Sequence, residues 1–261
     1  MLAVLVTSSF LAGCATVRQQ LGAALVPPRT EMQLGAQMAA QIGQMEKLHP
    51  DEGLQRYILE VAEPLARLSL KDRPGITYVL AVLDDDEQVN AFAAPGGYLF
   101  VYSGLLLMAE NEAELAGVLA HEIGHVVGRH SANQLATRYG MEFLFRLALG
   151  TEPDEMAAMT SDWLGTGAAA RFSRDDEREA DDYGFRYLLS AGYDPEGLLT
   201  FFEKIGEFEA RPGSDLDALM ASHPATDERI ERLRQKIAQA GDPGGRLEAE
   251  RYRQRTSVLR R

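Results

Sequence analysis

The stretch His121-Glu122-Ile123-Gly124-His125 decides how the chain is interpreted, because it carries the pattern HExxH. Residues four apart on an α-helix lie about 40° apart around the axis, so both imidazoles project from one face. Two neutral imidazoles on one face can hold a zinc ion at about 2.0–2.1 Å each. Glu122 can reach a metal-bound water without ligating the metal. The pattern predicts a helical metal site in which Glu122 activates the attacking water.

A third metal ligand is predicted further along the chain, in the acidic run 174–181. Glu177 and Asp181 are four residues apart and share a helix face. Glu177 can therefore bind the metal while Asp181 accepts a hydrogen bond from a ligating histidine. Glu179 is the rival ligand, but it points about 200° away from Glu177, so only one of them can face the site. A solvated acidic helix face is the alternative interpretation of the run.

The composition limits the functions that the chain can have. Its 261 residues include 26 basic and 39 acidic side chains, for a net charge of −13. A nucleic-acid surface needs a basic footprint, so nucleic acid is not an expected partner. The sequence has no apolar run of about eighteen residues, so no full transmembrane span is expected.

The rest of the sequence predicts an α+β fold that is mostly helical, with a small β-sheet early in the chain. The predicted elements are helices at 30–48 and 51–70, a strand at 76–83 and a second β segment at 89–102 that is broken by Pro95-Gly96-Gly97. Pro64 is expected to kink or restart the second helix. The segment Met156–Ala170 is either a mobile lid or an ordinary packed helix.

The first residues are apolar or small and end in Leu11-Ala12-Gly13-Cys14. This pattern resembles a bacterial lipoprotein signal peptide at residues 1–13 with its lipobox. The resemblance implies that Cys14 is acylated and that residues 14–29 form a tether. Ala15 stands where an Asp would favour the inner membrane, so the implied destination is the outer membrane. A buried cysteine in an N-terminal helix is the alternative.

Four motifs in the same order resemble one family of peptidases. They are HExxH, Glu177-x-x-Ala180-Asp181, Asn90-Ala91-Phe92-Ala93 with Pro95-Gly96-Gly97, and Ser222-His223-Pro224 followed by Glu228-Arg229-Ile230. Together they resemble the gluzincin peptidases that include HtpX, the CAAX prenyl endopeptidase, BepA and LoiP. LoiP-like periplasmic lipoprotein proteases are the most similar, because the transmembrane helices of HtpX are not predicted here.

The resemblance implies a zincin-like metallopeptidase domain at residues 30–240, followed by a basic helical tail at 241–261. One zinc ion per chain is implied, with HExxH on the active-site helix. The implied ligands are His121, His125 and Glu177, with Asp181 oriented toward a ligating histidine.

Further roles are implied for residues outside the ligand set. A strand that pairs with an extended substrate is expected at Asn90, Ala91, Phe92 and Ala93. His223 is implied to lie near the metal, where it either donates to the oxyanion or fills the fourth ligand position in a latent form. A structural histidine at a helix start is the alternative. His130 would lie about 140° around the helix from His125, as a surface or second-layer group.

We therefore predict a zinc metalloendopeptidase for protein quality control, facing the periplasm as an outer-membrane lipoprotein. Its expected partners are unfolded or misassembled envelope proteins and, through the lipid anchor, the membrane. The first alternative is a non-catalytic, zinc-stabilised periplasmic chaperone, and the second is a zinc hydrolase that is not a peptidase. Glu122 argues against the chaperone, because a structural site closes its fourth position and needs no base.

Overall fold

The computed structural model describes residues 26–165, 172–208, 217–224 and 226–260. Within these ranges the fold is α+β and mostly helical, which confirms the predicted class. The helices are α1 (Pro28–Met45), α2 (Glu52–Ser69), α3 (Ser103–Met108), α4 (Glu112–Gly128), α5 (His130–Tyr139), α6 (Met141–Ala148), α7 (Pro153–Gly165), α8 (Arg174–Ala191), α9 (Glu196–Phe208), α10 (Asp217–Ser222), α11 (Asp227–Gln239) and α12 (Ala249–Arg255). The strands are β1 (Val79–Leu83), β2 (Ala91–Ala94) and β3 (Tyr98–Tyr102).

The three strands form one sheet with the order β1-β3-β2, so β2 lies at an edge. Strand β3 runs parallel to β1 and antiparallel to β2. The predicted segment 89–102 is therefore two strands joined by the tight turn Pro95–Gly97. Both glycines of this turn have positive φ, a conformation that residues with a side chain rarely adopt. The edge strand β2 packs on α4 and so lies beside the HExxH motif.

Helix α2 passes through Pro64 without restarting, so the structure has one helix where a break was possible. Buried apolar residues stand on both sides of the proline, including Val61 before it and Leu65 after it. Proline removes one backbone hydrogen bond from a helix interior. Core packing on either side holds the segment helical in spite of this loss.

Helix α4 carries HExxH and lies at the centre of the larger core. Every residue from Glu112 to Gly128 is buried. The Asn111 side chain accepts a hydrogen bond of 3.0 Å from the Glu114 N–H and thereby caps the helix start. Helices α2, α8 and α9 surround α4, as expected for a helix whose faces are all suited to burial.

Helices α4 and α8 cross with their backbones in close contact. A Cβ added to Gly124 would lie 2.7 Å from the carbonyl oxygen of Ala180 and 2.9 Å from its Cα. A Cβ on Gly184 would lie 3.2 Å from the backbone nitrogen of His121. Glycine is needed at such approaches because any side chain would separate the helices. Glu177 lies one turn before Ala180, so this crossing sets its distance from the histidines.

Helix α4 ends at Gly128 because Arg129 adopts the left-handed conformation, with φ 59° and ψ 28°. Its buried guanidinium holds the turn in place. The Arg129 Nε donates to Glu31 of α1 at 2.7 Å, and Nη2 donates to the carbonyl of Val26. This conformation is unfavourable for a residue with a side chain. The ion pair with Glu31 compensates for it, and the chain turns so that α5 begins at His130.

The predicted tail at 241–261 makes contacts with the core. Tyr252 of α12 is fully buried, and its hydroxyl donates to the carbonyl of Leu106 at 2.7 Å. Arg251 pairs with the buried Glu112 carboxylate at 2.8 Å, at the start of α4.

The described residues cover part of the predicted lid and none of the predicted signal peptide. In α7, Met156, Met159 and Trp163 are buried, as in an ordinary packed helix. Residues 166–170 of the segment lie outside the described ranges, as does Cys14. Among the helices described, none has the length and apolar character needed to cross a bilayer.

Replacing Gly124 with Ala should lower the free energy of unfolding by about 1–3 kcal/mol, because the new Cβ overlaps the Ala180 backbone. Chemical denaturation followed by circular dichroism measures this change. Gly43→Ala is the matched control, since Gly43 is an exposed helical glycine whose Cβ would meet nothing within 4 Å. The control should be stabilised by about 0.5–1 kcal/mol. A Gly124→Ala protein as stable as this control would contradict the close crossing.

Candidate active site

Four buried side chains direct their ligating atoms at one point. His121 and His125 come from α4, Glu177 comes from α8, and His223 directly follows α10. One ligand atom from each lies within 4.8 Å of all the others. His121 Nε2 and His125 Nε2 are 3.0 Å apart, and Glu177 carboxylate oxygens lie 3.5 and 3.4 Å from them. The structure thus brings together the three predicted metal ligands.

His223 lies inside this donor group and also beside Glu122. Its Nδ1 is 3.3 Å from His121 Nε2 and 3.0 Å from Glu177 Oε1. Its Nε2 lies 3.6 Å from Glu122 Oε1. The side chain is therefore close enough to serve as a fourth ligand, and it also faces the predicted base.

Glu122 lies next to the donor group without belonging to it. Its side chain is 2% exposed, and its Oε2 has no hydrogen-bond partner among the described residues. Burial raises the pKa of the Glu122 carboxyl, although the neighbouring His223 and His121 oppose this shift. A raised pKa brings a carboxylate closer to the pH at which a general base works.

Asp181 contacts His121, as predicted for a residue behind the ligands. Its Oδ1 is 2.9 Å from His121 Nδ1, which leaves Nε2 directed at the donor group. Burial disfavours the charged imidazole, but the neighbouring carboxylates of Asp181 and Glu177 raise the pKa of His121 to about 9. A carboxylate on the distal nitrogen fixes the ring and increases its basicity as a ligand.

Arg229 of α11 is a site residue to which the sequence assigned no role. Its guanidinium donates to both Asp181 oxygens, at 2.8 and 2.7 Å, and its Nη1 lies 2.7 Å from Glu177 Oε2. Burial by itself would raise the pKa of Glu177, but the charge of Arg229 holds it well below its usual range. Both carboxylates are therefore kept ionised. The only feature of the sequence that could have indicated this role is the place of Arg229 in the family-like segment Glu228-Arg229-Ile230.

His130 and Glu179 lie together behind the donor group. His130 Nδ1 is 2.9 Å from His125 Nδ1, and His130 Nε2 is 3.4 Å from Glu179 Oε2. Glu179 therefore lies outside the donor group, which contains Glu177 instead. The predicted 140° separation of His130 from His125 is wrong, because α4 ends at Gly128 and the chain turns there. His130 is in the second layer of the site.

The predicted substrate strand coincides with the start of edge strand β2. The Tyr102 N–H donates to the carbonyl of Asn90 at 3.0 Å, and Ala91 is paired with Val101. Antiparallel pairing alternates, so the backbone groups of Ala91 and Ala93 point away from β3. These outward groups are the ones that a substrate strand could meet.

A residue of the chain itself occupies the outward carbonyl of Ala93. This carbonyl accepts a hydrogen bond of 2.6 Å from the Ser131 hydroxyl. The outward backbone groups of Ala91 are therefore the ones through which we expect a substrate strand to pair.

The geometry defines a metal-site class in which two histidines and a glutamate face one point and a second glutamate stands beside them. The sequence model of peptidase family M48 matches residues 49–237. The chain therefore belongs to peptidase family M48, and the family predicted from its motifs is confirmed.

Several curated proteins are similar to this chain. The beta-barrel assembly-enhancing protease of Escherichia coli O157:H7 is 31% identical over 218 residues, which are 80% of this chain and 44% of that protein. Metalloprotease YcaL of Escherichia coli K12 is 35% identical over 154 residues, 58% of this chain and 59% of that protein. A mitochondrial metalloendopeptidase of Schizosaccharomyces pombe is 35% identical over 155 residues, 59% of this chain and 45% of that protein. The matched region spans less than two thirds of each relative.

Replacing Arg229 with Leu should lower stability by about 3–5 kcal/mol, because Glu177 and Asp181 would remain buried without their cation. Thermal unfolding of the metal-free protein measures the loss. Arg232→Leu is the control, because Arg232 pairs with Asp182 at a partly exposed position. Its replacement should lower the free energy of unfolding by about 1 kcal/mol or less. Equal melting temperatures for the two variants would contradict the role given to Arg229.

Proposed function

We propose that the chain is a zinc-dependent endopeptidase that hydrolyses peptide bonds of unfolded or misassembled envelope proteins. The observation that carries this proposal is the convergence of His121, His125 and Glu177 on one point, with Glu122 beside them. Two histidines and a glutamate, with water or substrate in the fourth position, form a ligand set of zinc peptidases. Membership of peptidase family M48 supports the same activity.

The donor set fits zinc. Two imidazole nitrogens suit a borderline metal, whereas magnesium and calcium prefer ligands that are all oxygen. His121, His125 and Glu177 would hold the ion, one per chain, since one such cluster occurs in the described residues. When bound there, zinc supplies Lewis acidity toward water and the peptide carbonyl.

Glu122 is the proposed general base. Its carboxylate accepts a proton from the attacking water and then delivers it to the amine nitrogen that leaves. The oxygen Oε2, which is buried and unpartnered in the described structure, is available for this transfer. Glu122 belongs to the helix on which the edge strand β2 packs, so this carboxylate is close to the expected substrate strand.

His223 is the second proposed catalytic residue, with two roles that its position permits. Its Nε2 points toward Glu122, where it can donate to the oxyanion that forms from the peptide carbonyl. Its Nδ1 belongs to the donor group, so the same ring can instead fill the fourth ligand position. In that latent form the ring must move away before water and substrate enter.

The proposed substrates are extended polypeptides. Pairing with the outward backbone groups of Ala91 would provide affinity with little side-chain selectivity, which suits unfolded chains. One relative is named a beta-barrel assembly-enhancing protease, and this supports envelope proteins as the substrate class.

A non-catalytic chaperone stabilised by zinc is the second candidate function. The observation that favours it is His223, which completes a set of four protein donors, as structural zinc sites do. A general base beside the donors has no use in such a site, and this favours the peptidase.

Replacing Glu122 with Gln should lower the rate of casein hydrolysis by about 10²–10⁴-fold, because the amide cannot accept the proton from water. Metal content, measured by mass spectrometry, should stay at one zinc per chain. Glu142→Gln, on an exposed position of α6, is the matched control and should retain full activity. Equal hydrolysis by Glu122→Gln and wild type would remove Glu122 from the mechanism, whereas no hydrolysis by either protein would favour the chaperone.

The same assay applied to His223→Ala distinguishes the two roles of this histidine. Turnover should fall while zinc stays bound, because three ligands remain and only the oxyanion donor is lost. Unchanged hydrolysis would remove His223 from the mechanism. Faster hydrolysis would assign it to the latent form as a fourth ligand.

We also propose that an acyl group on Cys14 anchors the protein in the outer membrane, facing the periplasm. The lipobox-like sequence before this residue supports the anchor. Metabolic labelling with radioactive palmitate should mark the wild type and the control Ala15→Ser but leave Cys14→Ser unlabelled. A labelled Cys14→Ser protein would contradict the anchor.

A further inference from the structure

We propose that His130 is a positioning residue that fixes the proton and the orientation of His125 in the metal site. This inference rests on the proposed zinc site. The Nδ1 atoms of the two rings are 2.9 Å apart, and both side chains are buried. The planes of the two rings make an angle of 77°. Such a distance between ring nitrogens is that of a hydrogen bond with a single shared proton.

The direction of this hydrogen bond follows from the position of the other ring nitrogen of His125, Nε2. Its Nε2 points into the donor group, 3.0 Å from His121 Nε2 and 3.4 Å from Glu177 Oε1. A metal ion on Nε2 takes the lone pair of that nitrogen, so the proton of the neutral ring must be on Nδ1. The His125 Nδ1–H therefore donates, and the His130 Nδ1 accepts.

Acidic side chains continue this series of polar contacts on the far side of His130. Because Nδ1 accepts, the neutral His130 ring carries its own proton on Nε2. This Nε2 faces Glu179 Oε2 at 3.4 Å and Asp176 Oδ1 at 3.7 Å. A carboxylate behind a ligating histidine is a common device for orienting it. Here the imidazole of His130 lies between these carboxylates and the metal-binding residue His125.

The backbone fixes the position of the His130 ring. Arg129 breaks α4 with its left-handed conformation and is held by the Glu31 carboxylate. The His130 ring then folds back over Gly128, where an added Cβ would lie 2.2 Å from His130 Nε2. A side chain at position 128 would therefore displace the ring from His125.

The two metal-binding histidines are thus oriented in different ways. Asp181 contacts His121 directly, with an oxygen 2.9 Å from Nδ1. No described carboxylate contacts His125 on its Nδ1 side, where His130 stands instead. Phe172 stacks on His125 at 4.0 Å between ring centroids and restricts its plane, but a phenyl ring cannot accept the proton.

Zinc affinity measures this role directly. Metal-free protein is titrated with zinc against a chromophoric chelator, and thermal unfolding checks that each variant is folded. His130→Leu should weaken zinc binding by about 10–100-fold, the range for loss of an outer partner of a ligand. His130→Asn should stay close to wild type, because its amide oxygen replaces the Nδ1 acceptor. His49→Leu, which removes a histidine outside the site, should leave the affinity unchanged.

Two further measurements keep the test independent of any effect of leucine on packing. Gly128→Ala retains both histidines but displaces the His130 ring, so it should weaken zinc binding as His130→Leu does. Nitrogen-15 NMR of the zinc-loaded wild type should find the proton of His125 on Nδ1 and that of His130 on Nε2. A proton on His130 Nδ1 would overturn the proposed direction.

The outcomes separate this inference from the proposed function. A wild-type chain that binds no zinc overturns the zinc peptidase itself. A wild type that binds zinc, beside a His130→Leu protein of equal affinity, overturns only the role of His130. Equal weakening by His130→Leu and His130→Asn also overturns it, because the acceptor would then be irrelevant.

Discussion

The close backbone crossing of α4 and α8 is the constraint on which the site depends. Gly124 lets the two helices approach until a Cβ at that position would touch the Ala180 backbone. Only this approach brings the Glu177 carboxylate within 3.4–3.5 Å of the two imidazoles on the other helix. The sheet and the remaining helices bury α4 and hold it against α8. Their contribution to the chemistry is therefore mostly indirect.

The crossing of the two helices buries negatively charged side chains, and the fold compensates for this burial by pairing them with a positively charged one. Desolvation would make unpaired carboxylates at positions 177 and 181 strongly destabilising. Arg229 contacts both of them and is stacked 4.4 Å from the ring of Phe202. The guanidinium thus allows two anions to stay ionised beside two imidazoles. Helix α11, which supplies it, belongs to the site as much as the two ligand helices do.

The parts of the site encoded over a few residues were predictable from the sequence. Spacing of four residues on one helix placed His121 beside His125. Parts that depend on distant contacts were not predictable. His130 reaches His125 only because Arg129 turns the chain, and Glu31, which holds Arg129, lies 98 residues earlier. Such a break has no local signal, so helical periodicity gave the wrong direction for His130.

Zinc K-edge anomalous diffraction from crystals grown with zinc tests the central claim most directly. We predict one strong peak per chain, with His121 Nε2 and His125 Nε2 at about 2.0–2.1 Å and a Glu177 oxygen at about 2.0–2.2 Å. A peak without Glu177 in its coordination sphere, or no peak between α4 and α8, would contradict the assignment of this site.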